Sequence, residues 1–221
     1  MVAFGENHAS WSHYHWYQIL RRLPSLGEKS ITESEPGLSI YGWDRNLDFD
    51  TEKYKLESRI QETKYNRSLR AFYCIFLVQL VNGAMIGESV AAALQWSDNG
   101  KIEQRVQVEK RKDKYIRLII IPVTVRQQKG MRTEFEKLRT QYVNLANTAC
   151  RIAKERLGYN SHALRYAFIN GMAKKLPPQQ IAKLTGHKNL NMILHYTQTR
   201  EAEQRLREII SWNVAGNNAN I

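Results

Sequence analysis

The sequence predicts an α+β fold, mainly α-helical, with one small antiparallel β-hairpin. Three observations predict it. After residue 61, apolar side chains recur with the helical period over most of the chain. Only once does the period shorten to two, in residues 102–108 and 116–125 on either side of a charged turn. A hydrophobic content of 43% and a charged content of 24%, over 221 residues, suit one good core with a smaller appendage.

Residues 1–60 read as an accessory region, partly irregular. Residues 10–23 are aromatic-rich (Trp11, Tyr14, Trp16, Tyr17) and fit a short helix, whereas residues 25–50 hold more Gly, Pro, Ser and acids and fit loop or extended chain. His8, His13 and His15 have no Cys or carboxylate completing a ligand set, so packing is the better account of this segment and no metal or cofactor is expected.

Residues 67–81 form a helix with Leu69, Phe72, Tyr73, Phe76, Leu77 and Leu80 on one broad face, ended by Asn82-Gly83. Residues 86–94 form a second helix, with an exit turn through Ser97-Asp98-Asn99-Gly100. The hairpin follows, its strands separated by Glu109-Lys110-Arg111-Lys112-Asp113-Lys114. Residues 131–157 read as one long amphipathic helix stopped by Gly158. Ser161 can cap the next helix, residues 162–174. Pro177-Pro178 opens a short helix that Gly186 ends; residues 189–196 form another and residues 200–212 a last one, before a flexible tail over 213–221.

Cys74 and Cys150 sit in apolar helical patterns and read as reduced core thiols, without CxxC or zinc-type spacing. No run of ~18 apolar residues occurs, and no basic stretch leads an apolar one at the N-terminus, so no membrane span or secretory signal is expected. The expected location is cytoplasmic.

Charge narrows the partner. The net charge is +12 with a pI near 9.7, yet residues 1–60 hold seven Lys/Arg against nine Asp/Glu, a net of −2, and the remainder carries +14. A basic domain of this size favours a polyanion, because each neutralised phosphate releases counterions.

The candidate chemistry lies near the C-terminus. His162 and Arg165 are three apart on a helix and share a face. Arginine suits phosphate because its planar fork gives two parallel charge-assisted hydrogen bonds. A nearby His can donate to a non-bridging oxygen or move a proton near neutral pH. Then comes Leu184-Thr185-Gly186-His187, and nine residues on, Tyr196. A phenol with a pKa of ~10 needs cationic neighbours to act as a nucleophile.

In this order, behind a lysine-bearing hairpin, these elements resemble the catalytic domain of the tyrosine recombinases, the phage-integrase family. The likeness covers about residues 65–212 and implies a recombinase-type domain over 61–212. Its best stretches are His162-Ala-Leu-Arg-Tyr-Ala-Phe and Leu184-Thr-Gly-His-Lys-Asn-Leu-Asn-Met-Ile-Leu-His-Tyr-Thr. The resemblance implies metal-free, cofactor-free strand exchange on double-stranded DNA, with Tyr196 as nucleophile and a 3′-phosphotyrosine intermediate. It assigns Arg165 to clamp the phosphate, His162 to proton transfer and His187 to hold the phosphate. A hairpin lysine would protonate the leaving oxygen. Lys110, Lys112 and Lys114 are candidates, with Lys110 favoured at the end of the first strand; Lys112, Lys114 and Lys188 would otherwise contact the DNA backbone. It also implies a homo-oligomer assembled on DNA, encoded by a prokaryote, virus or plasmid.

Two departures stand out. The family places a second clamping Arg in a Gly-x-Arg-x-x-Glu pattern; here Gly83-Ala-Met-Ile-Gly-Glu88 keeps the Gly and Glu but has Met85 at the Arg position. Methionine cannot usefully hydrogen-bond a phosphate, and losing one transition-state donor typically costs ~10²–10³ in rate. Either the enzyme is crippled, or another Arg such as Arg70 substitutes, or the protein binds DNA without cutting it. The acidic balance of residues 1–60 also differs from the family's longer, basic DNA clamp. The last helix docks onto its own core or onto a neighbouring protomer. A third reading takes residues 178–196 as a helix-turn-helix, with 189–194 reading bases; it leaves the His162/Arg165 spacing unexplained.

Overall fold

The computed structural model describes residues 47–109, 111–191, 193–194, 202 and 205–208. The elements bounded within the described residues run in the order α1 (Phe49–Glu62), α2 (Arg67–Asn82), α3 (Ile86–Asn99), β1 (Glu103–Gln107), β2 (Ile116–Ile120), α4 (Val123–Arg126), α5 (Met131–Gln141), α6 (Leu145–Leu157), α7 (His162–Ala173) and α8 (Pro178–Thr185). The expected α+β character, mainly helical with one antiparallel hairpin, is what forms.

Helix α2 is the axle. Every residue from Ala71 to Leu80 is buried, so the predicted broad face is in fact the whole circumference. It packs against α1, α3, α5, α6, α7 and β2. Tyr73–Phe76, Phe72–Tyr142 and Trp96–Phe135 make edge-on ring pairs at centroid distances of 6.0–6.3 Å. A satellite core of Phe168, Ile169, Ile181, Ala182 and Ile193 seats α8 on α7. Phe49 bridges the two cores, edge-on to Phe168 at 6.2 Å. Among the described residues no single helix is long and apolar enough to cross a membrane; α2 and α3 meet at a bend of 114°.

The boundary expected at residue 60 cuts through α1. That helix buries Leu56 and Ile60 in the main core and is capped by Asp48, whose carboxylate accepts from the Thr51 backbone N–H at 2.9 Å. The chain therefore joins the following elements from residue 49. Calls on residues 1–46, including the short helix at 10–23 and the three histidines, lie outside the described residues.

Four further expectations need correction. The long helix over 131–157 is two. Tyr142 is extended (φ −121°, ψ 118°), and Asn144 caps α6 through its side chain, 3.0 Å from the Asn147 N–H. The second strand stops at Ile120, because Pro122 lacks an N–H and instead starts the single turn α4. Ser161 is itself helical and makes no capping bond; Asn160 accepts from the His162 N–H at 3.0 Å instead. The second helix runs on to Asn99, past the expected end at 94. Cys74 and Cys150 are both free, Cys74 fully buried. The last helix over 200–212 and the tail lie almost wholly outside the described residues, although 205–208 are helical.

The α5–α6 break gives a signed prediction. Asn144→Ala should destabilise the protein by about 1 kcal/mol through loss of the cap, read by urea denaturation. In a continuous helix, alanine would instead stabilise by a few tenths of a kcal/mol.

Candidate functional site

Four elements converge on one end of α2. Gly83 closes that helix in the left-handed region (φ 56°) and Gly186 closes α8 likewise (φ 75°). Neither has room for a side chain: a Cβ on Gly83 would strike the Phe168 ring, and one on Gly186 would lie 2.8 Å from Val108 of the hairpin. These close approaches leave two backbone carbonyls, Gly83 O and Thr185 O, facing the same space at the ends of two helices. Helix C-termini carry partial negative charge and attract cations.

Arg165, on α7, occupies that space. Its Nη1 donates to Gly83 O at 2.9 Å and its Nη2 to Thr185 O at 3.0 Å. Nη2 is also 3.3 Å from both ring nitrogens of His187. The residue is 7% exposed. Burial lowers its pKa to about 10, opposed by Glu88, so it stays charged at neutral pH.

His187 follows the Gly186 turn and is pinned by its backbone N–H to Ala182 O at 2.9 Å. Its ring state follows from the hydrogen-bond network. The Thr185 hydroxyl has one hydrogen, which it gives to Ile181 O at 2.7 Å. The 2.6 Å contact between that oxygen and Nδ1 therefore has Nδ1–H as donor. Nε2 keeps its lone pair, turned to Arg165. Burial, then Arg165, Arg117 and His162, push the ring down to about 3, so it is neutral at physiological pH.

A second arginine, unforeseen in the sequence, lies beside the first. Arg117 of β2 donates through Nη1 to Glu88 Oε2 at 3.1 Å and to Gly83 O and Thr185 O at 3.3 Å, and through Nη2 to Asn82 O. Its side chain is 3% exposed and that of Glu88 is fully buried. Burial lowers the Arg117 pKa and Glu88 opposes this. Glu88 also accepts from the Met85 N–H and the Glu109 N–H, each at 3.1 Å, so its carboxylate ties the start of α3 to β2 and to the hairpin turn. The signal for Arg117 was its inward strand parity with Ile119, but Ile116, Leu118 and Ile120 on the other parity are apolar too and masked it.

The remaining sequence candidates fall as follows. His162 begins α7, one turn before Arg165, with its ring 6.3 Å from Tyr166. Met85 stands at the N-cap of α3, half-buried, where it contributes its backbone. Lys112, Lys114 and Lys188 are exposed, Lys114 in the left-handed region. Arg111, between the lysines, stacks on Tyr115 at 4.3 Å and donates to Gly186 O at 3.4 Å, which ties the hairpin tip to the Gly186 turn. Arg70, the suggested substitute for the missing arginine, lies near the far end of α2, ~20 Å from Gly83 at 1.5 Å per residue, so it is not in this cluster. Tyr196 and Lys110 lie outside the described residues.

No family model and no solved structure matches the chain. Curated relatives do. A protein named "Putative integrase ORF241", from Acidianus two-tailed virus, is 36% identical over 171 residues, covering 76% of this chain and 68% of that protein. "Uncharacterized protein MJ0770" of Methanocaldococcus jannaschii is 31% identical over 202 residues, covering 76% and 88%. "Putative integrase V10" of Sputnik virophage is 27% identical over 218 residues, covering 82% and 96%.

The neutral His187 has a pH signature. Its folded pKa, about 3, lies below the ordinary 6.5, so the unfolded ring binds a proton that the folded one refuses. The resulting stability is fully present above pH ~6.5 and is lost as pH falls toward 3, at up to ~1.4 kcal/mol per pH unit. Between pH 6.5 and 5 the wild type should lose about 1–2 kcal/mol more than His187→Gln, measured by urea midpoints. Equal losses would mean the ring is not held neutral.

Proposed function

The chain belongs to an integrase family with these viral proteins, and from that premise we propose that it is a site-specific recombinase that cuts and rejoins double-stranded DNA through Tyr196. The observation that carries this reading is the contact of Arg165 with His187. It joins the two motifs, 22 residues apart in sequence, into one cationic cluster at the convergence of two helix ends.

In the proposed reaction the Tyr196 hydroxyl oxygen attacks a backbone phosphorus. The new bond is a 3′-phosphotyrosine and the bond to the 5′ oxygen breaks. Lys110 gives that oxygen its proton. The number of phosphoester bonds is unchanged, so rejoining needs no outside energy. Arg165 stabilises the charge that builds on the non-bridging oxygens, and His162 assists removal of the tyrosine proton. An anion against Arg165 offsets the largest of the charges that keep His187 neutral. Arrival of phosphate thus favours a protonated His187 ring able to donate to it. Lys112, Lys114 and Lys188, all exposed, steer the backbone, and two or more protomers assemble on the DNA to exchange strands.

Met85 favours a second reading, a recombinase-fold protein that binds DNA in a regulatory or architectural role without cutting. One experiment separates the two. Wild-type protein incubated with nicked duplexes of randomised sequence, in which a cut strand is lost and the adduct is trapped, should form a covalent protein–DNA species on a denaturing gel. Tyr196→Phe should abolish it while leaving DNA retention within about twofold. Retention without any adduct from wild type would leave the binding-only reading standing.

A further inference from the structure

The strand-cleavage reading leaves a charge missing at Met85, and the structure holds a charge that the reading does not use. We infer that Arg117 supplies the second positive charge of the phosphate pocket, in place of the arginine absent at position 85. This rests on the strand-cleavage reading above.

The geometry argues it in three steps. First, Arg117 and Arg165 bind the same two oxygens, Gly83 O and Thr185 O, at 2.9–3.3 Å. Two guanidinium groups straddling one pair of carbonyls act as one cationic unit. Second, the unit is under-compensated. Glu88 pairs directly with Arg117, while Arg165 has two carbonyls and a neutral imidazole; Glu109 acts on it more weakly than Glu88 does. One surplus positive charge, largely buried, matches one phosphodiester. The Nε–H of Arg117, also buried, has no hydrogen-bond partner among the described residues, so the group keeps a spare donor. Third, Arg117 reaches the place where an arginine at 85 would begin. Glu88 Oε2 accepts from both the Met85 N–H and Arg117 Nη1, each at 3.1 Å.

At 3% side-chain exposure Arg117 has almost no surface of its own to offer a phosphate. It is a positioning residue: it acts on the phosphate through its field and through the carbonyls that orient Arg165. Its charge, delivered from a strand, does what a side chain at 85 would do from the start of α3.

The test uses the full chain and the nicked randomised duplexes, prepared once with ordinary phosphodiesters beside the nick and once with methylphosphonates, which carry no charge at phosphorus. Arg117→Met alone would strand Glu88 as a buried charge, so it is combined with Glu88→Gln; the pair of changes keeps the net charge of the cluster and isolates the loss of a guanidinium beside Arg165. The double variant should form ~10²–10³-fold less adduct on the phosphodiester, but should lose far less on the methylphosphonate. Adding Met85→Arg should restore the phosphodiester adduct. Arg117→Lys keeps the charge and should stay within ~10-fold of wild type. A wild-type adduct that the double variant matches overturns the inference alone. So does an equal loss on both substrates that Met85→Arg fails to repair, or a loss in Arg117→Lys as deep as in the double variant. No adduct from wild type on either substrate overturns the strand-cleavage reading, and the inference with it.

Discussion

The buried ion pair between Arg117 and Glu88 is the contact around which the site is assembled. Taking two charges out of water costs several kcal/mol for each ion, recovered only where the remaining hydrogen-bonding positions are filled. Here they nearly are. Glu88 receives Arg117, the Met85 N–H and the Glu109 N–H, while Arg117 also reaches the carbonyls of Asn82, Gly83 and Thr185. The pair therefore fixes the turn between α2 and α3, the second strand, the hairpin turn and the end of α8 at once. Loss of one member would leave an uncompensated buried charge, at about 3–5 kcal/mol.

Packing makes this arrangement rigid. The buried barrel of α2 sets where Gly83 falls, and the Phe168 ring leaves that position no side chain. The satellite core sets where Thr185 falls. Arg165 then bridges two carbonyls whose positions are decided by separate cores, and His187 takes its tautomer from Thr185. Arg165 is oriented by backbone carbonyls rather than by flexible neighbours, which is the preorganisation that electrostatic stabilisation requires.

Much of this was legible in the sequence. Apolar periodicity gave the central helices, the change of period gave the hairpin, and the glycines gave the helix ends. His162, Arg165 and His187 stood out as a spaced set, and two of them meet. What was not legible had physical causes. Tyr142 and Val143 keep the apolar texture of a helix, so only Asn144 marked the break. The β-branched run through Val125 hid the stop at Pro122. Helix α1 buries little more than Leu56 and Ile60 and looks like solvated loop in composition. Arg117 sits in a strand whose two faces are both apolar, so parity could not show that it points inward. The role of Glu88 depends on contacts 21 and 29 residues away, which no local pattern encodes.

The carbonyls that hold Arg165 lie 82 and 20 residues from it, on opposite sides in sequence. Contacts of such separation are entropically costly to close and are secured only after local helices exist. A ribosome that has not yet released Thr185 has made the hairpin, the basic surface and Arg165, but not the second carbonyl or His187. The nascent chain is thus basic before the backbone seat of Arg165 is complete. Order of synthesis thus leaves the seat of Arg165 incomplete until Thr185 has emerged.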